Sequence, residues 1–261
     1  MKKLDKEARV IAFANQKGGV GKTTTVINLG AALALDGYKV LLVDMDPQGH
    51  VAKGLRTRVK MNNKTMREFM IKPGLYEEVV VHYSENLSIL PSNRGLADVE
   101  DLLKKHQTGT REIVLKTRLN KLRIIYDFIL IDCPPNLGYL TINALVASTD
   151  IIVPTVAEYL SYEGCLEVRN TVQHLVKKFN PDTDVRAVIG TMVGKNININ
   201  KAILQLIDIK LKEILLNTSI RKDVKVCESQ LFGQSVIEYK PYSNSSMDFN
   251  NLKNEVLQIC S

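Results

Sequence analysis

Residues 9–35 hold the feature that most limits the folds open to this chain: an apolar stretch, RVIAFAN, then the glycine-rich QKGGVGK, then TTTVINLGAALALD. The first part is β-rich and the last has the small and apolar residues of a helix, so the order reads strand, loop, helix. Against the phosphate-loop pattern GxxxxGK[ST], Gln16 stands where a glycine is wanted, while Gly18, Gly19, Gly21, Lys22 and Thr23 remain. The chemistry survives that change. Glycines let successive backbone N–H groups turn toward a phosphate, the helix N-terminus adds its dipole, and Lys22 adds a point charge. The Thr23 hydroxyl can reach a Mg2+ ion. A tight turn would explain the glycines, but not the Lys-Thr pair and the helix that follow them in order. Lys17 sets a second cation beside the same phosphates, either as a solvated lysine near a polyanion or as a group that neutralises charge on a transferred phosphoryl.

Gly37 closes that helix and KVLLVD makes the next buried strand, which implies a parallel pair with a right-handed crossover. Further apolar runs at 126–132, 150–155 and 185–193 alternate with helical patterns at 138–148, 161–179 and 199–216. Such alternation predicts an α/β fold, a mostly parallel sheet with helices on both faces. Residues 56–123 are less regular, with a short helix at 65–70, a strand at 87–90 and polar helices at 96–105 and 111–123. After Gly233, SVIEY reads as a short strand. A closing helix then puts Phe249, Leu252, Val256 and Ile259 on one face, which is expected to dock on the sheet. No linker or repeat divides the chain, so residues 1–261 are expected to form a single domain.

Two carboxylate stations follow strands. Asp44 and Asp46, at i and i+2 beyond KVLLV, project to one side of an extended chain and suit a Mg2+ and water station beside the first loop. An Asp-Pro turn at a polar strand end explains the same residues. Asp132 closes FILID, and a carboxylate there can bind Mg2+ through water. Cys133, next to it, has no Cys or His nearby in sequence and reads as a small core residue.

These motifs resemble those of the ParA/MinD group of ATPases. KGGVGKTT looks like the group's deviant Walker A sequence, and NQKGGVGKTTTVINLGAALA is similar to the ParA/Soj branch in particular. VDMDPQG resembles its Walker A′ motif, and IDCPPNLGYLTINAL its Walker B and switch region. The resemblance covers nearly all of the chain and is most specific at residues 15–49 and 127–164. It implies a P-loop NTPase fold with ATP and Mg2+ as ligands. Lys17, Gly18, Gly19, Val20, Gly21, Lys22, Thr23 and Thr24 would hold the nucleotide. Lys17 matches the signature lysine that reaches across a nucleotide-sandwich homodimer to the partner's phosphates. Asp44 would hold a Mg2+-bound water, Thr23 and Asp132 would complete the metal set, and Asp46 would orient the attacking water. Lys17, Lys22 and Asp46 are thus the implied catalytic set. Glu158 and Tyr159 would lie near the dimer face, without assigned roles.

The same family binds DNA without sequence preference, through phosphate contacts. Residues 221–229, RKDVKVCES, are similar to its basic segment, with Lys225 as the implied phosphate contact. Arg221 and Asp223 fall where the family's proline and asparagine border the adenine, and both differ in type. Gly194 and Asn196 replace the acid and arginine that usually follow the Thr-Met pair, leaving Lys195 and Lys201 as nearby cations. A solvated surface accounts for such lysines equally well. The balance of 35 Lys and Arg against 28 Asp and Glu, a net charge of +7, favours a polyanionic partner.

Cysteines at 133, 165, 227 and 260 show no metal-ligand spacing and fit a reduced cytoplasm. No run approaches the roughly 20 apolar residues of a membrane helix, and no apolar signal precedes the first strand. Too little chain precedes Arg9 for an operator-reading helix-turn-helix. The expected function is therefore an ATP-dependent partition ATPase: a homodimer on nonspecific, nucleoid DNA, slow alone and stimulated by a ParB-like partner. Three alternatives fit less well. A MinD-like membrane-cycling ATPase needs a basic amphipathic C-terminal helix, whereas DFNNLKNEVLQICS has one lysine and two acids. An iron-sulfur reductase of the nitrogenase type uses dimer-axis cysteines that have no counterpart. A catalytically silent, ATP-gated DNA adaptor is opposed by the intact Lys17, Lys22, Asp46 and Asp132.

Overall fold

The computed structural model describes residues 7–56, 64–105, 107–158, 161–194, 197–211 and 214–260. Its strands are β1 Arg9–Phe13, β2 Val40–Asp44, β3 Val81–His82, β4 Leu87–Leu90, β5 Phe128–Asp132, β6 Asp150–Val156, β7 Asp184–Val193 and β8 Leu215–Arg221. They form one sheet in the order β3-β4-β2-β5-β1-β6-β7-β8, parallel except where β3 pairs with β4. The expected α/β architecture is therefore present. Helices in the first half are α1 Lys22–Leu35, α2 His50–Gly54, α3 Met66–Ile71, α4 Tyr76–Val79, α5 Ala97–Lys104, α6 Val114–Leu119 and α7 Leu122–Ile125. Those that follow are α8 Tyr139–Ala147, α9 Ser161–His174, α10 Ile197–Leu211, α11 Val224–Leu231, α12 Val236–Tyr239 and α13 Asn244–Ile259.

Period-two alternation divides the sheet into two apolar faces. Ile11 and Phe13 of β1 pack with Val26, Leu29 and Leu33 of α1 and with Phe249, Leu252 and Val256 of α13. Val10 and Ala12 face the opposite core, built with α3, α5, α6, α8 and α9. Each large side chain so buried contributes roughly 1.5–3 kcal/mol. With both faces covered, the central strands are apolar at nearly every position, which is why they stand out in the sequence.

Three expectations need correction. SVIEY is not a strand: the Ser235 hydroxyl accepts the Glu238 N–H and the Glu238 carboxylate accepts the Ser235 N–H, a reciprocal cap that starts α12. The helical pattern at 199–216 ends earlier, at Leu211, and β8 begins at Leu215. The polar stretch at 111–123 is two short helices, α6 and α7. α12 is tied to α1, because buried Asn28 accepts the Val236 N–H at 2.7 Å and donates its amide to the Thr24 carbonyl at 2.8 Å.

β8 is an edge strand, and an uncovered edge invites pairing with another chain. Here Glu255 of α13 accepts the backbone N–H groups of Asn217 and Thr218 at 2.9 and 2.7 Å. Glu255→Ala should lower the unfolding free energy by about 1–3 kcal/mol in urea titration, the range for leaving such donors unpaired. A change near zero would mean that water replaces the carboxylate.

Candidate nucleotide site

The site lies at the C-terminal ends of the parallel strands, where α/β sheets bind ligands. Between β1 and α1 the chain turns through Gly19 at φ +73° and Gly21 at φ +84°, left-handed values that glycine adopts without strain. A cavity of about 940 Å³ opens above this loop, with Gly18, Gly19, Gly21, Lys22, Thr23 and Thr24 on its floor. Met192, in β7, and Gln230, on α11, also line it, together with Asp46, Glu100, Pro134 and Asn136.

Lys22 is almost fully buried, and its ammonium donates to the Asn15 and Lys17 carbonyls at 3.0 and 3.2 Å. Burial lowers its pKa, opposed chiefly by the charge of Asp132. The Thr23 hydroxyl donates to Asp132 Oδ2 at 2.6 Å. Asp132 is completely buried, and burial pushes its pKa up to about 7, against the Thr23 hydrogen bond and the Lys22 charge. Asp44 pairs in register with Asp132 on the neighbouring strand and accepts the N–H groups of Asp46 and Val51 at 3.0 and 3.1 Å. Burial first, and then the Asp132 charge, hold Asp44 well above the usual carboxylate range. Asp46 is less buried, lines the cavity and accepts the Gln48 N–H at 2.9 Å.

Asp132 Oδ1 is buried with no hydrogen-bond partner among the described residues. An orphaned anionic oxygen beside a hydroxyl and a second carboxylate is the oxygen donor set that Mg2+ prefers, so these residues fit that ion.

The other predicted residues are placed less uniformly. Val20 is buried under the loop, and its carbonyl accepts the Thr191 hydroxyl. Lys17 does not line the cavity, and its ammonium is ion-paired with exposed Glu158. Arg221 and Asp223 do not line it either. The Arg221 guanidinium grips Asp248, with its closest contact 2.7 Å, and Asp223 caps α11 while accepting the Ser245 hydroxyl. Lys225 is paired with Glu228 at 2.7 Å. Lys195 and Tyr159 lie outside the described residues, as does the side chain of Lys201. Sequence reading passed over Met192, Gln230 and Glu100, which carry no motif. It also passed over Lys222, whose exposed ammonium has no partner among the described residues, although its place beside Arg221 in a basic run was a signal.

Fold and site together define a phosphate-loop ATPase built on a mostly parallel sheet. A family profile described as an AAA domain matches residues 8–185. The chain is 36% identical over 249 residues to the sporulation initiation inhibitor protein Soj of Bacillus subtilis, covering 95% of this chain and 98% of that protein. It is 32% identical to the chromosome partitioning protein ParA of Caulobacter vibrioides, over 95% and 94% of the two chains. A structure of cobyrinic acid a,c-diamide synthase from Mycobacterium smegmatis, with bound ATP analogue and magnesium, superposes with TM-score 0.85 at 31% identity, covering 96% and 94%. The cell division ATPase MinD of Pyrococcus furiosus shares the fold at TM-score 0.78 and 24% identity, over 97% and 99%. The chain belongs to the ParA/Soj family of P-loop ATPases.

Gly19 has open space where a Cβ would go, so Gly19→Ala isolates the backbone strain. Chemical denaturation should show a loss of about 1–2 kcal/mol, the penalty for a left-handed alanine. An unchanged midpoint would mean that the loop relaxes out of the left-handed region.

Proposed function

We propose that this chain is a DNA-partitioning ATPase whose ATP-joined homodimer grips nonspecific DNA and releases it on hydrolysis. The observation that carries this reading is the convergence of Lys22, Thr23 and Asp46 on one cavity, with the buried Asp132 bonded to Thr23 and paired in register with Asp44, while Lys17 is paired with Glu158 outside it. Residues 1–261 act as one ATPase domain. N–H groups of Gly18 to Thr24 and the Lys22 ammonium hold the triphosphate, and Met192 and Gln230 border the base in place of Arg221 and Asp223. Thr23, Asp132 and, through water, Asp44 would hold Mg2+, which would neutralise charge on the phosphate oxygens. Asp46 accepts a hydrogen bond from a water and aligns it with the terminal phosphorus. Attack forms the new P–O bond as the bond to the β-phosphate oxygen breaks, leaving ADP and phosphate.

Lys17 supplies the dimer contact. Its resting pair with Glu158 is solvent-exposed, a class of ion pair worth about 0–1 kcal/mol, so a triphosphate on a second copy outcompetes it readily. Lys17→Ala should abolish dimerisation with a non-hydrolysable ATP analogue and Mg2+ in sedimentation velocity, while nucleotide still binds. A normal dimer would remove Lys17 from the contact.

A ParA relative carries chromosome partitioning in its name, which points to a replicon as cargo and to a DNA-bound, ParB-like partner as the activator in the cytoplasm. Lys225 is the family-matched phosphate contact, Lys195 and Lys201 are further cations where the chain departs from the family pattern, and Lys222 joins them. Lys222→Ala and Lys225→Ala should each lower the salt slope of ATP-dependent DNA binding by about 0.9, the slope expected per phosphate contact. Unchanged slopes would move the DNA surface elsewhere. A membrane-cycling reading lacks support, since the apolar face of α13 is buried against the sheet and no helix among the described residues is long and apolar enough to cross a membrane.

A further inference from the structure

The cavity holds one carboxylate that neither phosphate, metal nor water binding accounts for. Glu100, on α5, lines the cavity together with Asp46, Pro134 and Asn136, and its carboxylate lies against Gly138 just beyond that segment. It is half-buried and makes no hydrogen bond or ion pair among the described residues. Lys104, one turn further along α5, gives its ammonium to Asp101 at 2.8 Å. Lys53, also on the cavity wall, gives its ammonium to the Gln48 carbonyl. Glu100 Oε1 lies so close to Gly138 that a Cβ on that residue would overlap it. Gly138 is the N-cap of α8, so the carboxylate sits at the positive end of that helix and braces the segment running from Asp132 through Asn136.

Charge then sets a direction. Asp46 also lines the cavity, and the buried Asp132, bonded to Thr23 in its floor, and Asp44 beside it add two carboxylates near Lys22, the buried cation. A Mg2+-bound triphosphate carries one more negative charge than the diphosphate, and the addition is at its terminal phosphate. A carboxylate on the wall of the same cavity opposes the more highly charged triphosphate more than the diphosphate. We propose that Glu100 is a specificity-setting and positioning residue, whose charge holds down the affinity of a single copy for ATP relative to ADP. Tight ATP binding then waits for the Lys17 cation of a second copy. This inference rests on the reading of the cavity as an ATP site.

The test is calorimetric titration of the full chain, wild type and the Glu100→Gln and Glu100→Ala variants, with Mg2+ and either ADP or a non-hydrolysable ATP analogue. Protein is kept at concentrations where sedimentation finds single copies. Both variants should bind the triphosphate about threefold tighter or more, with diphosphate affinity changed by less than about twofold, and the gain should shrink at high ionic strength. A purely structural role would move both nucleotides together. Equal shifts for the two nucleotides, an unchanged ratio, or a response confined to the alanine variant would overturn the inference while leaving the ATP site standing. A wild-type chain that bound neither nucleotide would overturn the ATP site itself, and the inference with it.

Discussion

Asp44 and Asp132 stand side by side at the ends of β2 and β5, out of contact with water, and the sheet register pairs them directly. Two such carboxylates repel each other, and burial alone favours the neutral form of each. The surrounding groups are arranged around that conflict. Backbone N–H groups of Asp46 and Val51 bind one carboxylate, the Thr23 hydroxyl binds the other, and the Lys22 charge lies close. Through these contacts the turn after β2, helix α2 and the glycine loop are all fastened to the same pair. A proton on one carboxylate, or a divalent cation, would relieve that repulsion at its source.

The loop, the central strands and the acidic positions were legible in the sequence because each depends on neighbours close along the chain. β1, β2, β5, β6 and β7 are apolar runs because both sheet faces are covered, and Gly18 to Thr23 follow from the backbone that such a loop requires. What could not be read depends on distant partners. Arg221 looks like a ligand contact until Asp248, far along the chain, takes its guanidinium. α12 looks like a strand from its alternation, until its terminal cap decides otherwise. β8 has no clean alternation, since it is an edge whose exposed N–H groups are met by a glutamate from the last helix. Glu100 sits in an unremarkable polar helix, and only the path of the chain after β4 brings it over the cavity.

The basic excess is also distributed differently from what a count of charges suggests. Of the cations just after β8, Arg221 and Lys225 are paired with acids, whereas Lys222 is bare among the described residues and its backbone N–H is fixed to the Val193 carbonyl at 3.0 Å.

Asn28 gives the helix that begins in the glycine loop a hold on a part of the chain more than two hundred residues away. One amide group joins the Thr24 carbonyl to the N–H that opens α12, and the bond to that N–H is buried. A tilt of α1 must therefore carry α12 along or break a buried hydrogen bond, at about 1–3 kcal/mol. Glu228, which pairs with Lys225, also accepts the Tyr239 hydroxyl at the far end of α12. A chain of side-chain contacts thus runs from the first turn of α1 through α12 to Lys225 at the surface.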